Sequence, residues 1–184
     1  NLFALVKFYQ AALSAGVKPI AGADIWLLNE ADIAAPFRLT LLVRNNIGYG
    51  SLTELISRAY VEGQHQGMPM VRAQWLAQHN QGLIVLSGGR EGQIGLLLLA
   101  GREKDAEQTL RHYLALFPDC FYLELQRTGR HQEEAYIDAA VELAAHCDAP
   151  VVATNDVRFL KPSEFEAHEA RVCIHQGRVL EDPR

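Results

Sequence analysis

The sequence predicts an α/β fold with mostly parallel strands, arranged either as a barrel or as an open sheet. Short apolar or alternating stretches typical of strands are interspersed along the chain with stretches of helical periodicity. Capping residues and Gly or Pro stops separate these stretches. With 184 residues, of which 49% are hydrophobic and 21% charged, the chain is long enough to bury one core and is not of disordered composition.

The first half of the chain supplies three predicted strands. In order, we expect a helix over 2–13 stopped by Gly16, a strand over 17–28, a strand over 37–43, a helix over 52–62, a short helix at Trp75 and Leu76, and a strand over 82–87. The strand over 37–43 alternates apolar and polar residues, which is typical of a half-buried strand. A capping box, in which Ser51 and Glu54 each satisfy a backbone N–H, predicts the start of the helix over 52–62.

The second half continues the same alternation. We expect helices over 93–100, 106–116, 133–145 and 163–175, a strand over 120–125, and a short strand beginning at Pro150. Pro118 stops the helix over 106–116, because proline cannot continue a helix. Ser163, followed three residues later by Glu166, predicts the cap of the last helix.

Composition excludes several classes of protein. A net charge of -5 argues against a surface that grips nucleic acid, which needs a clustered excess of Lys and Arg. The three cysteines, Cys120, Cys147 and Cys173, have no CxxC spacing, so we expect packed thiols rather than a disulfide framework, a zinc site or a nucleophile. The longest apolar stretch, 94–100, is too short to span a bilayer. We therefore expect a cytoplasmic protein with no membrane contact.

Asp156 and Arg158 form the most informative pair of residues. They stand two apart where an apolar strand runs into a polar segment, so on an extended strand they share one face. Sites in α/β proteins lie at such strand ends. The pair is either part of a working site or the remnant of one.

Three carboxylates belong to predicted strands: Asp24 closes one, Glu124 lies within another and Asp156 ends a third. Asp24, Glu124 and Asp156 would converge at one rim of a barrel, which is an arrangement suited to metal binding or acid–base chemistry. Alternatively, each caps its own loop. His168 and His175 share a face of the last helix but match metal-ligand spacing only loosely, and a solvated or capping role is favoured. Gly88 and Gly89 predict a tight turn rather than a nucleotide loop.

Several separated segments, in order and spaced alike, resemble one family. They resemble the PHP (polymerase and histidinol phosphatase) domain of bacterial DNA polymerase III alpha subunits, and the segments are 1–9, 16–24, 45–60, 82–89, 121–127, 153–159 and 172–174. The resemblance implies a distorted TIM-like (β/α)7 barrel with a metal cluster at its rim. Residues 1–184 would be a partial PHP domain without the first βαβ elements and their HxH segment, and the polymerase palm, fingers and thumb domains would lie outside it.

The resemblance also identifies where this chain departs from metal-bearing members of the family. Asp24 stands where they have Glu, Tyr60 where they have His, Gly89 where they have Cys and Arg158 where they have His, and Asp156 alone is intact. We call these five the vestigial cluster positions. Tyrosine is a poor ligand unless ionised, and an arginine repels a metal ion. The resemblance therefore implies no bound metal and no catalytic or cofactor-binding residue, with Arg158 replacing the metal charge by pairing with Asp156 and with Asp24.

The implied function is that of a non-catalytic scaffold within a DNA-directed DNA polymerase, a nucleotidyltransferase that uses magnesium in its polymerase domain. The implied partners are the proofreading exonuclease subunit and other replicase subunits, with DNA held by the rest of the polymerase. Two alternatives stay open. One is a working phosphoesterase or 3′–5′ exonuclease that uses zinc or manganese with nonstandard ligands. The other is an unrelated α/β metabolic enzyme that shares only the architecture.

Overall fold

The computed structural model describes residues 2–180 and residue 182, and it shows a mixed α/β protein. The helices are α1 (Leu5–Ser14), α2 (Asn46–Val61), α3 (Ala73–Gln78), α4 (Gln93–Leu99), α5 (Glu103–Leu116), α6 (Glu133–Cys147) and α7 (Phe165–Gln176), and the strands are β1 (Gly22–Leu27), β2 (Phe37–Val43), β3 (Gln64–His65), β4 (Met68–Val71), β5 (Leu83–Leu86), β6 (Phe121–Gln126) and β7 (Val151–Thr154). Two short 3-10 turns cover Gly89–Glu91 and Pro162–Glu164. The chain divides into two compact units, Asn1–Thr154 and Asn155–Arg184.

The seven strands found among the described residues belong to one sheet in the first unit, in the order β3-β4-β1-β2-β5-β6-β7. The pairs β1–β4, β5–β6 and β6–β7 are parallel, whereas β1–β2, β2–β5 and β3–β4 are antiparallel. β2 follows β1 without a helix between them, as the sequence predicts, and runs back beside it, so the expectation of mostly parallel strands is wrong at β2. Within the described residues, β3 and β7 end the sheet, which is open. The sequence left both a barrel and an open sheet possible, and the complete barrel that the resemblance implies stays a prediction.

One face of this sheet carries the hydrophobic core. Strand residues that pair across β1, β2, β5 and β6, such as Ala23, Leu41, Val85 and Phe121, share that face, because directly opposed residues point the same way. They pack against apolar residues of the helices α2 to α6, and we call this side the helix-covered face. The alternation predicted for 37–43 is confirmed here: Leu39 and Leu41 are fully buried.

The opposite face carries most of the polar side chains of the strands. The same register places these side chains on one side of the sheet. They include Asp24, Arg38, Thr40, Tyr122, Glu124, Gln126 and Thr154. We call this the polar face. In the described chain, these residues are absent from the main core cluster. The sheet therefore places two of the predicted carboxylates, Asp24 and Glu124, on the same side.

The capping box predicted at Ser51 is wrong. Helix α2 begins at Asn46, because the side chain of Asn45 accepts a hydrogen bond from the Gly48 N–H at 3.0 Å and caps the helix first. Ser51 lies inside the helix and donates to the Gln81 carbonyl instead. At Gly48 the helix approaches Gly82 so closely that a Cβ would overlap the Gly82 carbonyl. Helix α2 thus starts well before the predicted range, where its first turns pack against the residues that precede β5.

Three further features differ from the prediction: the start of one strand, an additional hairpin and the cap of the last helix. Strand β1 begins at Gly22, so Asp24 lies within the strand and does not close it. The hairpin of β3 and β4 was not predicted; Gln66 and Gly67 both have positive φ, as a tight two-residue hairpin turn requires. Ser163 lies in a 3-10 turn and does not cap α7, which begins at Phe165.

The remaining helices and strands lie where the sequence predicts them, within a few residues. The three cysteines are free thiols, as expected. Among the described residues, none of the helices combines the length and the apolarity that crossing a membrane would require.

Candidate functional site

Asp24 is held on the polar face by two residues of the neighbouring strand. Its Oδ2 lies 3.0 Å from Arg38 Nη2 and its Oδ1 accepts a hydrogen bond from Thr40 Oγ1 at 2.7 Å. This follows from the antiparallel register, which sets Asp24 opposite Thr40 and close to Arg38. The cation that the structure places beside Asp24 is Arg38, a residue of the same unit. The pairing of Arg158 with Asp24 that the sequence also suggested would join the two units, and it stays a prediction.

Arg38 also reaches the turn that follows β5. Its Nη1 lies 3.5 Å from Glu91 Oε2, and its own carbonyl lies against Gly88, where a Cβ would overlap it. Gly88 has a φ of 80°, a left-handed conformation that glycine adopts without strain. The predicted tight turn at Gly88 and Gly89 is thus confirmed, and it is fitted closely around Arg38.

Gly89 is buried at the start of the same turn and also has a positive φ, of 60°. A Cβ at this position would meet the Glu124 carbonyl at 3.8 Å, which is an ordinary contact distance. The backbone conformation, rather than lack of space, therefore disfavours a side chain here. Gly89 contributes no ligand atom apart from its backbone.

Tyr60 lies near the end of α2 with 43% of its surface exposed. It lines a pocket of about 200 Å³ together with Asp24, Ile56 and Trp26. The structure therefore brings two of the vestigial cluster positions, Asp24 and Tyr60, to one pocket. The pocket is mainly walled by apolar side chains.

Glu124 is the most buried carboxylate of the polar face, with 3% exposure. Its Oε1 accepts hydrogen bonds from Thr154 Oγ1 at 2.6 Å and from Gln126 Nε2 at 3.2 Å, and Oε2 has no partner among the described residues. The Tyr136 hydroxyl donates to the Glu124 carbonyl at 2.7 Å. Burial, with a contribution from the Glu124 charge, raises the pKa of Tyr136 to about 12 and keeps it a neutral donor.

Asp156 and Arg158 lie in the second unit, beyond the end of β7 at Thr154. The predicted ion pair is confirmed: Arg158 Nη2 lies 2.7 Å from Asp156 Oδ1. The strand that was expected to align them ends before Asp156, so the pair forms in irregular backbone. The Asp156 side chain is 7% exposed and that of Arg158 is 48% exposed.

The residues present do not fit a metal centre of the kind that the resemblance describes. Within the described part of the chain, no group of three or more His, Cys, Asp or Glu residues is placed to hold a metal ion. Asp24 and Glu124 share a face but are separated by β2 and β5, and each has its own partners. On α7, His168 Nδ1 lies 3.3 Å from Arg171, while His175 is exposed.

Sequence reasoning missed Arg38, Thr40, Glu91 and Thr154. The alternation of β2 puts Arg38 and Thr40 on the side opposite Leu39, which is the one signal that could have flagged them. Their contact with Asp24 depends on how β1 and β2 pair, and that pairing is not written in either strand alone.

A family model matches the larger part of the chain. The model of the PHP domain matches residues 1–128 of the chain. The chain therefore belongs to the PHP domain family.

The chain is also similar over its whole length to part of several longer proteins. It is 51% identical over 184 residues to "DNA polymerase III subunit alpha" of Pseudomonas fluorescens, covering all of this chain and 16% of that protein. The proteins of the same name from Pseudomonas aeruginosa and Escherichia coli K12 are 52% identical over 184 residues and 50% identical over 186 residues, again with 100% of this chain and 16% of each relative covered. The chain thus spans 16% of the length of these curated relatives.

Proposed function

We propose that this chain is the PHP portion of a bacterial replicative DNA polymerase III alpha subunit, and that this portion is a metal-free, non-catalytic scaffold. The observation that carries the second part is the pairing of Asp24, one oxygen of which is bound by the Arg38 guanidinium and the other by Thr40. A permanent cation at 3.0 Å opposes a divalent ion at the same carboxylate. Arg158 likewise pairs with Asp156.

The parent protein on this proposal is a cytoplasmic DNA-directed DNA polymerase, in which magnesium serves a polymerase domain outside this chain. The open sheet forms part of a distorted (β/α)7 barrel that further strands complete. The scaffold supports the polymerase core and docks the proofreading exonuclease subunit of the replicase. The support for this is the identity of about half over the whole chain to three alpha subunits.

Metal content tests the absence of a metal centre. The natural full-length protein, purified without chelator, should contain zinc and manganese far below one ion per chain by elemental analysis. Arg158→His should leave that content unchanged, because Tyr60 and Gly89 still supply no ligand. Near-stoichiometric metal in the unaltered protein would contradict the proposal.

A nuclease assay tests the alternative of a working phosphoesterase. Full-length protein incubated with a labelled single-stranded oligonucleotide and manganese should release no 3′ nucleotide. Release that is lost in both Asp24→Asn and Asp156→Asn would instead establish the 3′–5′ exonuclease. The matched control is Glu134→Gln, which removes an exposed carboxylate of α6 that pairs with Arg127 at the surface.

Complex formation tests the scaffold. Full-length protein mixed with the purified exonuclease subunit should elute as one complex in size-exclusion chromatography. A protein lacking residues 1–184 should lose the complex, provided that its polymerase activity on primed DNA is retained. Undiminished binding by this active, shortened protein would remove the docking role.

A further inference from the structure

The vestigial cluster positions Asp24 and Gly89 are joined by a residue outside the cluster. Arg38 pairs with Asp24 on β1, stands on β2, and reaches Glu91 in the turn that Gly89 begins. Its carbonyl oxygen lies directly against Gly88. One residue thus connects two strands and the turn after a third.

The burial of the three charged groups is uneven. The Arg38 side chain is 13% exposed, whereas those of Asp24 and Glu91 are 53% and 39% exposed. A charge with so little access to solvent is costly unless it is paired, so the pairs hold one another in position.

We infer that Arg38 is the positioning residue that takes the place of a metal charge in this domain, holding β1, β2 and the turn Gly89–Glu91 together through Asp24 and Glu91. This inference rests on the proposed function, because it assumes that no metal occupies Asp24. It assigns to Arg38 the role that sequence reasoning gave to Arg158, whose guanidinium serves Asp156 in the second unit.

The test is hydrogen–deuterium exchange of the natural full-length protein, read in peptides that cover residues 22–27 and 88–92. Arg38→Met removes the charge and keeps most of the length of the side chain. Exchange in both segments should become about tenfold faster. A larger increase is not expected, because solvent screens part of the attraction between Arg38 and Asp24. Arg38→Lys should recover part of the protection, because lysine restores the charge without the two-pronged geometry.

A double-mutant cycle separates pairing from packing. In an Asp24→Asn background, Arg38→Met should have a smaller effect than in the unaltered protein, because the ionic partner is already gone. The matched control is Arg127→Met, which breaks a two-bond pair with Glu134 at 2.8 and 3.0 Å on an exposed surface and should leave both peptides unchanged.

Two results overturn the inference without touching the proposed function. One is unaltered exchange in Arg38→Met in a protein free of metal, and the other is an equal effect of Arg38→Met with and without Asp24. Bound zinc or manganese that is lost in Asp24→Asn overturns both the proposed function and this inference.

Discussion

The two faces of the central sheet are stabilised in different ways. The helix-covered face buries residues such as Leu41 and Val85 completely, so its stability comes from apolar burial against five helices. The polar face instead holds its side chains by specific partners: Arg38 and Thr40 for Asp24, and Thr154 and Gln126 for Glu124. Apolar packing tolerates many partners, whereas a buried charge requires a particular one.

The polar face of the first unit and the second unit each contain an ion pair of the same kind. An aspartate is paired with an arginine in both, at 3.0 Å for Asp24 and at 2.7 Å for Asp156. The difference lies in which partner is shielded from solvent: the arginine in the first pair and the aspartate in the second. Loss of Arg38 therefore removes a cation from partly solvated acids, while loss of Arg158 removes one from a buried acid.

The largest effect is expected on the helix-covered face. Leu41→Ala removes a fully buried side chain, and it should lower the local unfolding free energy of β2 by about 2–5 kcal/mol, since the lost burial and the cavity both count. Hydrogen exchange of residues 37–43 measures this. Leu42→Ala, the half-buried neighbour on the opposite face, is the control and should cost clearly less. Equal losses at both positions would show that the faces do not differ.

A smaller effect is expected at Glu124. Thr154→Val removes the hydroxyl that donates to Glu124 Oε1 at 2.6 Å and leaves a buried carboxylate with less compensation. We expect a loss of about 1–3 kcal/mol in the protection of β6 and β7, which is typical for an unsatisfied buried group. Thr154→Ser keeps the hydroxyl and should preserve most of the protection. A serine variant as weak as the valine variant would assign the effect to packing.

Glu133, at the start of α6, predicts a dependence on pH. Burial opposes its ionisation, but hydrogen bonds from the Thr128 side chain and from the N–H groups of Thr128, Gly129 and Arg130 outweigh burial and lower its pKa. A lowered folded pKa stabilises the fold above the unfolded value, near 4.3 for glutamate, and this stability is lost as pH falls through the folded value.

Glu133→Gln should therefore weaken the protection of residues 128–136 by about 1–2 kcal/mol at pH 7. It should also remove the acid-dependent part of that protection, measured between about pH 4.3 and more acidic values. Glu134→Gln is the neighbouring control, since its pair with Arg127 is exposed. Full acid dependence retained in the Glu133→Gln variant would assign that dependence to another carboxylate.

The smallest effect is expected at Arg158. Arg158→Ala removes a partner of Asp156. The buried carboxylate is not left without a further interaction and the arginine itself is 48% exposed, so the expected loss is about 1 kcal/mol or less. Exchange in residues 155–160 measures it, with Arg178→Ala as the control at an exposed arginine of the same unit. A loss larger than that of Thr154→Val would reverse the ranking of the two units.

Local patterns predicted most of the elements but not their ends. Helix α5 and strand β6 lie close to their predicted ranges because their periodicity and the Pro118 stop are local signals. The capping box at Ser51 failed because Asn45 offers an earlier cap and because Gly48 packs on Gly82, a contact between residues distant in the chain. The β3–β4 hairpin was missed because its two-residue turn starts with Gln66, which seldom adopts a positive φ.

The amino-acid sequence by itself determined the family, the alternation that separates Leu39 and Leu41 from Arg38 and Thr40, and the ion pair of Asp156 with Arg158 two residues away. These depend on residue identity and short spacing. Only the tertiary structure decided that β2 runs antiparallel between β1 and β5, that the described sheet is open, and that Arg38 is the cation beside Asp24. The physical reason is that strand pairing brings together groups that are distant in the chain, and the register of that pairing cannot be read from either strand alone. The register determines which charged side chains lie close enough to pair.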